Sequence, residues 1–134
     1  PEHSGVLKAV TDLNALYAQT PALWQRDDDP GGFEWIDAND SGSNSFSWLR
    51  WDDDGGCVAV VANLSPVPRE GYRLGLPFAG QWTELFNTDA VAYGGSGLGN
   101  FGAITAEESS WHGRPASASI VLPPLSTSFF RYQP

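Results

Sequence analysis

Ser45–Ala62 reads SFSWLRWDDDGGCVAVVA, and this stretch decides the fold. Its first part alternates. Phe46 and Trp48 fall on one face of an extended chain, and Leu49 and Trp51 on the other. Asp53-Asp54-Gly55-Gly56 then makes a strong hairpin turn, because glycine accepts positive φ without steric cost. Cys57-Val58-Ala59-Val60-Val61-Ala62 is apolar on both faces, the pattern of a central strand covered from both sides. Pro66 and Pro68 end it.

The same grammar extends outward. Asp27–Gly32 is a turn cluster, Phe33 to Asp37 a short strand, and Asn39 to Ser43 a loop. Tyr72–Leu76, Gln81–Phe86, Ser117–Leu122 and Thr127–Tyr132 read as further strands. The spacing predicts an all-β, antiparallel Greek-key β-sandwich. One N-terminal helix precedes it. Val6, Val10, Leu13 and Tyr17 recur at three- and four-residue steps, and Leu7 and Leu16 widen their stripe. Ser4 is the expected cap. Thr20-Pro21 is the expected stop, since a residue before proline avoids the α region. Ala22-Leu23-Trp24 is read as one further turn. The expected boundaries are a helical segment at 1–25 and the β-sandwich at 26–134. An amphipathic helix ahead of an all-β region has few local partners, so it reads as a docking element for an upstream domain.

Composition bounds the function. The chain has 134 residues, a net charge of −9, 41% hydrophobic and 13% aromatic residues. That is one domain with a real core. Seven basic residues against sixteen acidic ones leave no cationic stripe for phosphates, so no nucleic-acid partner is expected. No apolar run reaches the ~20 residues of a spanning helix, so no membrane partner is expected either. There is no Met, and the chain opens at Pro1-Glu2-His3 without a targeting segment, which reads as a piece of something longer. The single Cys57 excludes an internal disulfide and a Cys-only metal cage, and suits a reducing, cytoplasmic setting.

Motifs of chemistry are few. Gly97-Leu98-Gly99-Asn100-Phe101-Gly102 spells GxGxxG, but no helical pattern follows, so it reads as a glycine loop folded over an interface. Glycoside chemistry needs one carboxylate nucleophile and one protonated carboxyl about 5 Å apart. The acids here sit mostly in solvated turns, and none is expected to be catalytic. Asp52–Asp54 lacks calcium-loop spacing. His112, with no G-x-S-x-G in the chain, is expected to order its loop together with Arg114. Cys57 reads as a small core residue. No cofactor and no metal are expected. Trp48 and Trp82 fit buried strand positions. Trp35 differs: it follows a double-glycine turn and is flanked by Glu34 and Asp37. An exposed indole beside carboxylates suits a sugar, whose C–H groups meet the π-face while its hydroxyls find polar partners. Trp35, Glu34 and Asp37 are therefore the candidate carbohydrate-binding residues, with ordinary packing the competing reading.

An ordered series of segments carries a resemblance. Tyr72-Arg73-Leu74-Gly75-Leu76-Pro77, Gly80-Gln81-Trp82-Thr83-Glu84, Asn87-Thr88-Asp89, Tyr93-Gly94-Gly95-Ser96-Gly97 and Gly99-Asn100 follow one another. His112-Gly113-Arg114 and Leu122-Pro123-Pro124 continue the series. Upstream, Asp12-Leu13-Asn14, Pro21-Ala22-Leu23 and Gly32-Phe33-Glu34-Trp35 fit as well. The chain resembles the C-terminal domain of bacterial 1,4-α-glucan (glycogen) branching enzymes, of the α-amylase superfamily. The resemblance implies a cofactor-free transferase that cuts an α-1,4 glucan, holds a glycosyl intermediate and passes it to a 6-hydroxyl. It places the catalytic carboxylates in a (β/α)8 barrel upstream, of which residues 1–25 would be the last helical segment. No catalytic residue carries over to this chain. The implied partners are that barrel and α-glucan or glycogen. Two other roles fit the residues: a free-standing carbohydrate-binding module, or a purely structural interface domain.

Overall fold

The computed structural model describes residues 3–134. Helix α1 spans Ser4–Gln19 and is followed by short 3-10 turns at Pro21–Leu23 and Pro30–Gly32. Eight strands follow: β1 Phe33–Asp40, β2 Ser45–Trp51, β3 Cys57–Asn63, β4 Arg69–Leu76, β5 Gly80–Asn87, β6 Ala103–Ala106, β7 Ala116–Leu122 and β8 Ser126–Gln133. A third 3-10 turn, Val91–Tyr93, opens the long β5–β6 connection.

The hairpin read from the sequence forms with its tightest pair at Trp51 and Cys57. Asp52 closes the turn, accepting from the Asp54 and Gly56 amides at 2.9 and 2.7 Å, and Gly55 takes a φ of 81°. The large sheet runs β1-β2-β3-β8-β5-β6, all antiparallel, and β4 pairs with β7 in the second sheet. The chain thus leaves the large sheet at β4, returns for β5 and β6, leaves again at β7, and inserts β8 between β3 and β5. These crossings make it a sandwich rather than a meander. Leu49, Ala59, Val61, Trp82 and Phe130 from the large sheet meet Leu74, Leu76, Ala118 and Ile120 from the small one. Each such buried side chain contributes roughly 1.5–3 kcal/mol of transfer free energy. β3 is buried at every position, because its outer face, Val58 and Val60, is covered by Ala22, Leu23, Trp48 and Phe129.

Several details differ from the sequence reading. The helix cap position is His3, without a side-chain cap, and Ser4 is the first helical residue. Asn39 and Asp40 extend β1 instead of lying in a loop. β6 and the Arg69–Gly71 start of β4 carry no clear sequence signal, because their pairing partners lie far away in the chain. Trp82 is fully buried as expected, but Trp48 is half-buried on the outer face. No residue of α1 is buried. The helix rests against 91–93 and 21–23 instead of on the sheet, and a cavity of about 370 Å³ lies between it and Trp48, Val60 and Phe129. No helix among the described residues is long and apolar enough to cross a membrane.

Candidate functional site

Two rings on β1 and one on β2 build an aromatic platform. Trp35 pairs directly with Trp48, and Phe33 with Arg50, so strand alternation sends Phe33, Trp35 and Trp48 to the same outer face. Phe33 meets Trp35 edge-on at 5.1 Å between centroids, Trp35 meets Trp48 edge-on at 6.1 Å, and Phe33 stacks on Trp48 at 6.4 Å. Edge-to-face pairing at these distances is the favoured geometry of aromatic quadrupoles, so the rings hold one another in place. Trp35 keeps half of its surface exposed. The turn before β1 is rigid for local reasons: Asp29 accepts from the Gly31 amide at 2.9 Å and from Arg26 Nη2 at 2.6 Å.

The flanking carboxylates take the opposite side. Glu34 Oε1 accepts from Trp51 Nε1 at 3.2 Å, and Glu34 Oε2 is ion-paired with Arg114. A register shift between Trp35 and Asp37 swings Asp37 inward, where its Oδ2 lies 3.4 Å from His112 Nε2. The structure therefore does not gather Trp35, Glu34 and Asp37 onto one face. Glu34 and Asp37 instead anchor the Trp111–Arg114 hairpin, whose ends exchange backbone hydrogen bonds of 3.1 and 2.9 Å. Arg114 Nη2 donates to the Trp35 carbonyl at 2.8 Å, so the hairpin also holds the open edge of β1. Sequence reasoning missed Phe33 and Trp48 as platform residues. The 33/35 alternation is the signal that could have found Phe33, whereas Trp48 joins through the β1–β2 register set across the 41–44 turn.

His112 does order its loop. Its Nδ1 accepts from the Gly75 amide at 3.0 Å, which makes Nε2 the protonated nitrogen of the neutral ring and points that proton at Asp37. Burial holds the imidazole below its ordinary pKa, with Asp37 and Asp40 pulling the other way. Cys57 is buried in the core, and desolvation pushes its thiol far up. Among the described residues no group of three or more His, Cys, Asp or Glu could hold a metal ion.

The chain's second notable surface lies around α1. Tyr93 Oη donates to Asp12 Oδ2 at 2.7 Å, and Lys8 Nζ donates to the same oxygen at 3.0 Å. These bonds hold the Asp12 carboxyl below its usual range, while burial and the Asp12 bond push the Tyr93 phenol up to about 12. A Cβ at Gly5 would overlap the Tyr93 carbonyl, so this glycine permits the close approach. With the helix latched this way, Val6, Leu7 and Val10 face outward, near the exposed Val91. Phe101 stands wholly exposed on a left-handed backbone at φ 56°, in the glycine loop that follows.

Residues 35–133 match the family described as alpha amylase, C-terminal all-beta domain. The chain is 52% identical over 131 residues to a 1,4-alpha-glucan branching enzyme of Leifsonia xyli subsp. xyli, covering 98% of this chain and 18% of that protein. A branching enzyme of Mycolicibacterium paratuberculosis is 54% identical over 123 residues, covering 92% and 17%. One of Frankia casuarinae is 53% identical over 128 residues, covering 93% and 16%. The chain thus spans less than a fifth of the length of these relatives.

Proposed function

Because the chain belongs to the family of α-amylase C-terminal all-β domains, we propose that it is the C-terminal accessory domain of a 1,4-α-glucan branching enzyme. The observation that carries this reading is the similarity to branching enzymes along nearly the whole chain. On this reading the parent transfers α-1,4-glucan segments to 6-hydroxyls in glycogen biosynthesis, in the cytoplasm and without a cofactor. Its catalytic carboxylates belong to a barrel whose strands lie outside this chain. Residues 1–25 are the terminal helical segment of that barrel, and 26–134 are the β-sandwich that packs beside it. The outward stripe of Val6, Leu7 and Val10, continued by Val91 and Phe101, is the apolar surface that the barrel covers.

The domain's own contribution is a glucan contact at Trp35. The indole offers its exposed face to sugar C–H groups, with Phe33 and Trp48 fixing its orientation. Glu34 and Asp37 act behind it as positioning residues, through the 111–114 hairpin. A net charge of −9 favours a neutral polymer over any anionic ligand. Affinity electrophoresis in glycogen gels tests this. Retarded migration that Trp35→Ala abolishes, with the fold intact by circular dichroism, is the expected result. Equal migration with and without glycogen would remove the glucan contact from the proposal.

A further inference from the structure

A cleft at the 77–79 turn, whose lining does not include Trp35, has the chemistry of a sugar site. It is an open groove of about 440 Å³ between the 77–79 turn and Glu108, with Pro115 and Tyr132 completing its walls. Its aromatic side is built and rigid. Phe78 lies against Tyr132 at 4.7 Å between centroids, Trp51 meets Phe78 edge-on at 5.9 Å, and Tyr132 rests on the buried Trp82 at 5.3 Å. Trp82 Nε1 donates to the Phe78 carbonyl at 3.1 Å, which pins the turn carrying that ring. Phe78 itself remains 36% exposed.

The polar side is uncommitted. Among the described residues, the Glu108 carboxylate and the Tyr132 hydroxyl have no hydrogen-bond or ion-pair partner. The other acids beside aromatic groups in this region are already engaged: Glu34 holds Trp51 and Arg114, and Asp37 holds His112. An aromatic wall with one free acceptor and one free donor–acceptor matches a pyranose, apolar on its C–H face and polar at its rim. Glu108 is exposed and Tyr132 half-buried, so both polar groups stand at the rim where ring hydroxyls would meet them, and the Glu108 charge disfavours an anion.

We propose that this cleft is a second carbohydrate subsite, in which Phe78 and Tyr132 stack one or two hexose units of a neutral α-glucan while Glu108 and the Tyr132 hydroxyl bind their ring hydroxyls. The proposal rests on the glucan reading at the level of ligand class, but not on Trp35. Trp51 joins the two sites physically, packed at right angles to Phe78 and donating its Nε1 hydrogen to Glu34, the residue preceding Trp35. A branched polymer that meets both sites gains by effective concentration.

The test is a titration of the isotopically labelled chain with maltoheptaose. It follows the amide signals of Ala79, Glu108 and Ala116 for the cleft and the Trp35 indole signal for the platform. Saturable shifts are expected at both places, and the cleft shifts persist in Trp35→Ala. Tyr132→Phe and Glu108→Gln keep the side-chain shapes. Each should weaken the cleft dissociation constant about threefold to tenfold, as loss of one hydrogen bond does, and leave the Trp35 constant unchanged. Movement at Trp35 with a silent cleft overturns this proposal alone. A cleft constant untouched by both variants, or cleft shifts that vanish in Trp35→Ala, also overturns it. Silence at both places overturns the glucan reading and the cleft together.

Discussion

Removing Arg114 should loosen the platform without touching any ring in it. The guanidinium is mostly covered, with 18% of its side chain exposed, and it makes two contacts to β1: the Glu34 ion pair and a 2.8 Å bond to the Trp35 carbonyl. A hydrogen bond to a charged group contributes about 1.5–3 kcal/mol when buried. Glu34 is 47% exposed, so water replaces much of what it loses, and the ion pair deserves the smaller surface value. The Trp35 carbonyl lies on an open sheet edge and is rehydrated as well. Together the two contacts should contribute about 1–2 kcal/mol. Urea unfolding of Arg114→Ala, followed by tryptophan fluorescence, should show that loss with an unchanged m-value. Arg114→Lys should recover less than half of it, because an ammonium cannot reach both acceptors with a planar fork. A double-mutant cycle with Glu34→Gln should give a positive coupling of roughly 0.5–1 kcal/mol. Stability within about 0.3 kcal/mol of the parent for Arg114→Ala, or full recovery by lysine, would refute the account of how β1 is held.

Three further perturbations address other parts of the structure. His112 has a folded-state pKa below its unfolded value, so its contribution is present above about pH 6.5 and is lost as pH falls through the folded value. Protonation at Nδ1 also removes the acceptor of the Gly75 amide. Thermal unfolding should therefore show a lower midpoint at pH 5 than at pH 7.5, and His112→Ala should flatten that difference. A Cβ at Gly75 would overlap the Trp111 carbonyl, so Gly75→Ala should displace the 111–114 hairpin and cost about 1–3 kcal/mol in urea unfolding. Cys57 should resist iodoacetamide in the native chain and react once the chain is unfolded, because both burial and a raised pKa suppress its thiolate.

The fold was legible where local chemistry and tertiary pairing agree. The 45–62 hairpin carries its turn, its alternation and its buried strand in one contiguous run, and β2 forms with the bounds read for it. β6 was not legible. Its four residues follow a glycine loop and become a strand only by pairing with β5, twenty-odd residues back. Trp35 could be singled out because a rigid turn and polar neighbours surround it. Glu34 lies opposite Trp35 by simple strand alternation, but the direction of Asp37 is not legible, since a register shift after Trp35 decides which way it points. Trp48 fits a buried strand position by its place in β2, yet it is only half-buried, because α1 stands off from that face, as a helix that docks elsewhere does.

The reaction chemistry, on this account, lies outside these 134 residues. An iodine-staining branching assay puts that to the most direct test. The purified chain incubated with amylose should leave the blue absorbance unchanged, at any concentration at which it is folded. A fall in that absorbance, or new α-1,6 linkages in the product, would contradict the account at its root.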